Sequence, residues 1–200
     1  MAEPRHLDWT IVIPVKGTPA AKSRLGASPE LVMAIALDSV EAALGVGRVI
    51  VVTTAEVGGT FAELGAVVVE DAGGGLIAAC RQGIAAAGSG PTAVMLGDLP
   101  GLRSRELASA LEFASRHPLA FVPDAEDDGT VLITALDAGG HAPAFGENSR
   151  AGHIAAGYTE LPVAATSGLR RDVDTQQQLA AIPPTTLGPH TRLALSRISG

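Results

Sequence analysis

One cysteine in 200 residues, Cys80, excludes an internal disulfide and a thiolate metal cluster. It lies in an Ala-rich, helix-like stretch and reads as a small core residue. Aromatic residues are only 3% of the chain, four Phe with one Tyr and one Trp. Their spacing builds no stacking platform, which argues against single-stranded nucleic acid as a ligand. The core must come from Val, Leu, Ile and Ala, since hydrophobic residues still make up 46%. No apolar run reaches the roughly 18 residues that a membrane span needs. Positive charge is scarce too, at a net −7, so the broad basic face that duplex binding requires is missing. The N-terminal residues Glu3, Arg5, His6 and Asp8 do not form a secretory leader. A cytoplasmic enzyme without a nucleic-acid or membrane partner is expected.

Lysine is the scarcest cation. Only Lys16 and Lys22 occur, against twelve arginines, and both lie in one loop after the apolar run Thr10–Val15. Arg24 lies two residues beyond Lys22, and Gly17 frees the backbone between them. Three cations and free amide donors at the C-terminal end of a strand describe an anion site. Polyphosphate is the expected anion, with a solvated loop as the alternative. The loop is neither a Walker A motif nor a Gly-x-Gly-x-x-Gly fingerprint.

The rest of the chain alternates strands with helices. Helical spacing covers about 29–44, the β-branched run 48–53 reads as a strand buried on both faces, and a short helix is expected near 60–64. Strands follow at 66–70 and 92–96, helices at 76–87 and 103–115, then strands at 119–122 and 130–136. A short helix near 150–157, a strand near 159–163 and a helix at 176–181 complete the pattern, with Asp174 or Thr175 as N-cap of the last. The tail from Pro183 to Gly200 gives no clear element. An α/β domain with a single doubly wound, mostly parallel sheet is predicted over 1–200. About 10–128 would be a nucleotide-binding half and about 129–182 an altered half suited to a second substrate.

Four constellations carry chemistry. Asp98, in Gly97-Asp98-Leu99-Pro100, follows the strongest strand at the expected ligand edge, and is read as a magnesium ligand or as a turn cap. Asp172 and Asp174 flank Val173, so an extended backbone would turn both carboxylates to one side. They pair with Asp98 as metal candidates, with helix capping as the alternative. The acidic run 124–128 reads as a solvated loop without a catalytic role. Thr130, Gly146 and Ser149 form a candidate small-anion site, with Ser149 as a helix N-cap in the structural alternative. Gly73-Gly74-Gly75 suits a backbone passing close to a base or ribose.

In order along the chain, Ile13-Pro14-Val15-Lys16, Lys22-Ser23-Arg24-Leu25, Gly97-Asp98-Leu99-Pro100, Gly129-Thr130, Phe145-Gly146 and Asp172-Val173-Asp174-Thr175 form a set. That set resembles the guanylyltransferases of deazaflavin coenzyme (F-420) biosynthesis, which act on phosphoenolpyruvate or 2-phospho-L-lactate. They are relatives of the molybdenum-cofactor guanylyltransferase. The resemblance spans about 10–182 and implies a nucleotidyltransferase (glycosyltransferase-A-like) fold. It implies that Lys16, Lys22 and Arg24 meet the GTP phosphates, with Gly74 and Gly75 also at the nucleotide. Lys16, Lys22 and Asp98 would be catalytic, and Asp98 with Asp172 or Asp174 would hold magnesium. Thr130, Gly146 and Ser149 would hold the phosphorylated three-carbon acid. Members of that family often carry Asn at the position of Ile77, and often form homodimers.

The inventory suits that reaction. A phosphate monoester is already an oxyanion near neutral pH, so no general base is needed to make it a nucleophile. Alignment and charge neutralisation are what remain to be supplied. A nucleotidyltransferase for a sugar phosphate or molybdopterin, and a catalytically silent nucleotide-binding module, are the other readings.

Overall fold

The computed structural model describes residues 7–16 and 28–198. Seven strands form one sheet: β1 (Thr10–Pro14), β2 (Arg48–Thr53), β3 (Val67–Glu70), β4 (Thr92–Met95), β5 (Leu119–Pro123), β6 (Thr130–Ala135) and β7 (Thr159–Glu160). Their order is β3-β2-β1-β4-β6-β5-β7. The pairs β1–β2, β1–β4, β2–β3 and β5–β7 are parallel, and only β6 runs against its neighbours β4 and β5. That reversal brings the start of β6 to the same sheet edge as the ends of β1, β4 and β5, so one edge collects residues from four strands.

Alternation along the strands splits the core into two layers. Ile11, Ile13, Val49, Val51 and Met95 pack with residues of α1 (Pro29–Leu44), α2 (Ala55–Glu63) and α4 (Ser104–Ala114). Val12, Ile50, Val52 and Val94 pack on the other face with Ala79 and Cys80 of α3 (Leu76–Ala87). Burial pushes the Cys80 thiol up to about 12, as an inert core residue requires. The helix α3 sits flush on β1 because residue 83 is glycine: a Cβ there would overlap the Val12 side chain.

Three elements differ from expectation, one being β7, expected near 159–163 and found only over Thr159–Glu160. The helix α2 begins at Ala55, five residues earlier than its apolar spacing predicts, because Gly58 and Gly59 dilute the pattern. The tail forms a helix, α7 (Pro189–Ile198), packed on α1. The buried Asp38 carboxylate of α1 accepts the N–H groups of His190 (3.0 Å) and Thr191 (2.8 Å), capping α7 from 152 residues away. The helices α5 (Ser149–Ala155) and α6 (Gln176–Ala181) lie near their predicted positions, and Thr175 caps α6 in a capping box with Gln178. Among the described residues, no helix is long and apolar enough to cross a membrane.

Candidate active site

The edge shared by β1, β4, β5 and the start of β6 opens into a cleft of about 340 Å³. Lys16, Asp98, Thr130, Gly146, Ser149, Asp172 and Asp174 all line it, brought together from positions spread over most of the chain. Lys22 and Arg24 lie outside the described residues. Gly74 and Gly75 do not line the cleft themselves, but Leu76, the next residue, does.

Each member has a local cause. The Val15 N–H donates to the Val52 carbonyl (2.9 Å), so β1 keeps its pairing past Pro14 and releases Lys16, exposed, at the cleft. Gly73, Gly74 and Gly75 hold φ of +85°, +96° and +86°, a run that side chains other than glycine's rarely allow. The Asp71 carboxylate accepts the Gly73 N–H (2.8 Å) and fixes the turn, which delivers the N-terminus of α3 to the cleft.

The acidic side is built by two bonded backbones. The Leu99 N–H donates to Ser39 Oγ (3.1 Å), and the Ser39 hydroxyl donates to the Ile35 carbonyl (3.0 Å), tying the turn after β4 to α1. The Val173 N–H donates to the Asp98 carbonyl (3.0 Å) while the Val173 side chain is buried against Leu31 and Ile35. Asp172 and Asp174, on either side, both reach the cleft. The Asp172 carboxyl is pushed up to about 8, by burial first and then by the charges of Asp98, Asp174 and Asp124. Its Oδ1 is buried and accepts no hydrogen bond from the described residues.

Asp124 is the residue that sequence reasoning missed. Expected as part of a solvated acidic run, it directly follows β5, lines the cleft and adds its charge to Asp172. One oxygen each of Asp124, Glu126 and Asp172 lie within 4.8 Å of one another. Asp124 also accepts the N–H groups of Asp128 (3.1 Å) and Gly129 (2.7 Å), holding the β5–β6 turn. Arg170, buried, donates from Nε to the Asp124 carbonyl (3.0 Å), from Nη1 to the Val163 carbonyl (3.0 Å), and pairs with Asp127 (2.6 Å). A carboxylate at the end of a strand on the ligand edge was the available signal, obscured by the four residues after it.

A cluster made only of carboxylate oxygens, one of them buried without a partner, is short of positive charge. Those donors fit a hard divalent cation, which takes oxygen ligands.

Part of the cleft wall carries smaller polar groups. Thr130 and Ser149 are buried at the cleft, and Gly146 holds φ +132°. Ser149 is the first residue of α5 rather than its cap; Asn148, at φ 54°, precedes the helix. Behind this wall His153 is fully buried, with Nδ1 3.0 Å from Thr130 Oγ1 and Nε2 accepting the Ala144 N–H at 3.0 Å. His141 Nε2 lies 3.0 Å from the Thr92 carbonyl and Nδ1 3.2 Å from the Tyr158 hydroxyl, which accepts the Ala142 N–H (2.8 Å). Burial lowers the pKa of both histidines to about 4, so both are neutral at pH 7.

The family model of the MobA-like NTP transferase domain matches residues 21–179. The chain belongs to the MobA-like NTP transferase family. It is therefore a nucleotidyltransferase, an enzyme class whose phosphate chemistry suits cations and carboxylates facing one cleft. It is 43% identical to a protein of Streptomyces coelicolor named phosphoenolpyruvate guanylyltransferase, over 96% of this chain and 98% of that one. A protein of Salinispora arenicola with the same name is also 43% identical, over 92% of each chain. Among solved structures, a nucleotidyl transferase from Methanothermobacter thermautotroptrophicus superposes with a TM-score of 0.68 at 19% identity, over 90% of this chain and 97% of that one. The fold of this enzyme is the nucleotidyltransferase, glycosyltransferase-A-like sheet.

Proposed function

We propose that this enzyme transfers GMP from GTP to phosphoenolpyruvate, or to the related 2-phospho-L-lactate, and releases diphosphate in deazaflavin coenzyme (F-420) biosynthesis. The observation that carries the reading is the make-up of the cleft. Lys16, the carboxylates of Asp98, Asp124, Asp172 and Asp174, and the buried residues Thr130 and Ser149 line one cleft together with Leu76 at the N-terminus of α3. Relatives about 40% identical over nearly the whole chain support phosphoenolpyruvate as the acceptor.

In this reaction an oxygen of the acceptor's phosphate forms a bond to the α-phosphorus of GTP. The bond from that phosphorus to the bridging oxygen breaks, and diphosphate leaves with the electron pair. The nucleophile is already ionised, so the protein supplies position and charge rather than a base. Lys16, with Lys22 and Arg24 six and eight positions further along the sequence, binds the phosphates of GTP, and Gly74 and Gly75 bring backbone amides to the nucleotide. Thr130 and Ser149 present hydroxyls to the acid, and Gly146 lets it approach the backbone. Asp98, with Asp172 or Asp174, would hold magnesium, which would supply neutralisation of charge on the phosphates. The partnerless oxygen of Asp172 supports that assignment.

Incubation with GTP, magnesium and each of phosphoenolpyruvate, 2-phospho-L-lactate and 3-phosphoglycerate, with diphosphate release as the readout, tests the reading. Fastest release with phosphoenolpyruvate is expected. Release with a sugar phosphate or a molybdopterin and with none of the three acids would overturn it.

A further inference from the structure

Thr130 faces two ways. Its residue lines the cleft, while its Oγ1 lies 3.0 Å from Nδ1 of the fully buried His153. Which of the two groups donates is decided on the far side of the imidazole. There Nε2 lies 3.0 Å from the backbone nitrogen of Ala144, and a backbone N–H can only donate. Nε2 must therefore offer its lone pair, and the single proton of a neutral ring resides on Nδ1. The ring cannot take up a second proton at neutral pH, because burial holds its pKa near 4.

Thr130 Oγ1 consequently faces an N–H. It accepts there and cannot direct its own hydroxyl proton at His153. We propose that His153 is a positioning residue that turns the Thr130 hydroxyl into an obligatory donor toward an anionic oxygen of the acceptor acid. The proposal rests on the acceptor-site reading of Thr130 given above. A lone threonine hydroxyl rotates and presents proton or lone pair as its neighbours dictate. A relay running from the Ala144 N–H through the imidazole to Thr130 fixes that choice before substrate arrives, and it selects for a carboxylate or phosphate oxygen over a hydroxyl donor. The same relay ties the Ala144–Gly146 segment to the start of β6 through one buried ring. Phe145 and Tyr158 pack edge-on against that ring, each with centroids 5.3 Å away, and keep it from flipping.

Two measurements decide the matter. In the wild-type protein, nitrogen NMR of the imidazoles should find His153 with a protonated Nδ1 and an unprotonated Nε2. The opposite tautomer overturns the proposal, and this result does not depend on any variant folding. Separately, calorimetry with a non-hydrolysable GTP analogue and magnesium measures phosphoenolpyruvate binding to wild type, Thr130→Val, His153→Phe and the double variant. Each single change should raise the Kd for the acid about tenfold, the loss of roughly one charge-assisted hydrogen bond. The double variant should be no weaker than Thr130→Val by more than about twofold, since both changes remove the same donor. Fully additive losses would make His153 a packing residue only and overturn the proposal. Binding with the predicted coupling but without diphosphate release when GTP is supplied would overturn the function reading and leave this one standing. No binding of the acid to wild type would overturn both.

Discussion

Asp98 and Asp172 lie 74 positions apart and are held side by side by one backbone hydrogen bond, from the N–H of Val173 to the Asp98 carbonyl at 3.0 Å. The bond sets the spacing of the carboxylates independently of what the side chains do. Their mutual repulsion is therefore built in, and it adds to burial, the larger cause, in raising the pKa of Asp172. A fold that stabilised only itself would not gather charges in this way; a site that receives a cation would.

Asp172→Asn should therefore stabilise the protein without metal while removing activity. The amide keeps the shape and spares the folded chain the uptake of a proton that the unfolded chain releases above 3.8, and a gain of roughly 1 kcal/mol raises Tm by ~2–4 °C in a chain of this length. Thermal unfolding in a chelator, beside a diphosphate-release assay, checks both halves. A lower Tm would mean that Asp172 makes a structural contact worth more than the repulsion.

The effect of magnesium should depend on pH in a defined direction. The Asp172 carboxyl sits near 8 in the folded chain against 3.8 unfolded, so between these values the folded chain holds a proton that the unfolded chain has released. Metal-free stability accordingly falls as pH rises through that window. Magnesium replaces the proton, so the Tm gain it produces should be larger at about pH 9 than at about pH 6. A gain independent of pH would place the cation elsewhere.

The histidines behind the acceptor wall give the opposite slope. His141 and His153 are lowered from 6.5 to about 4 by burial, so the unfolded chain binds more protons between those values. Their contribution is fully present above about pH 6.5 and is lost as pH falls toward 4, at a slope of up to ~2.7 kcal/mol per pH unit for two groups. Denaturant unfolding at a series of pH values measures it; a flat profile across the window would show that neither ring must stay neutral.

The strands of the sheet centre were legible because both faces are buried: Ile11, Val12 and Ile13, or Val49 to Val52, can be apolar without alternation. Asp98, just after β4, was findable because the ends of such strands fall on one edge, and Asp172 because its spacing from Asp174 turns two carboxylates to one side. What escaped is long-range. The cap of α7 comes from Asp38, and no local spacing predicts a helix there. Asp124 looked like its acidic neighbours until the β5–β6 turn set its carboxylate against Asp172. Asn148 takes the left-handed position before α5, where the local pattern offered Ser149 as cap in the structural alternative.

Lys16→Ala should weaken GTP use with the fold intact, since Lys16 is exposed at the cleft rim. One lost charge-assisted contact costs about 1.5–3 kcal/mol, a drop of roughly ten- to a hundredfold in kcat/KM for GTP. Lys22→Ala should behave alike. Unchanged GTP kinetics together with a marked fall in Tm would assign Lys16 to structure.

Gly146→Val should separate the acceptor from the nucleotide. A Cβ at residue 146 meets no protein atom within 4 Å, so the side chain would project into open space at the cleft and not into the core. The backbone itself resists the change, because φ +132° is a conformation that branched residues rarely adopt. Strain of this kind costs about 1–3 kcal/mol and falls on the loop that carries Ser149. The KM for phosphoenolpyruvate should rise sharply, while GTP binding measured by calorimetry without the acid should stay near the wild-type value. Equal loss of both would mean that the loop beside Gly146 supports the whole cleft and does not belong to the acceptor alone.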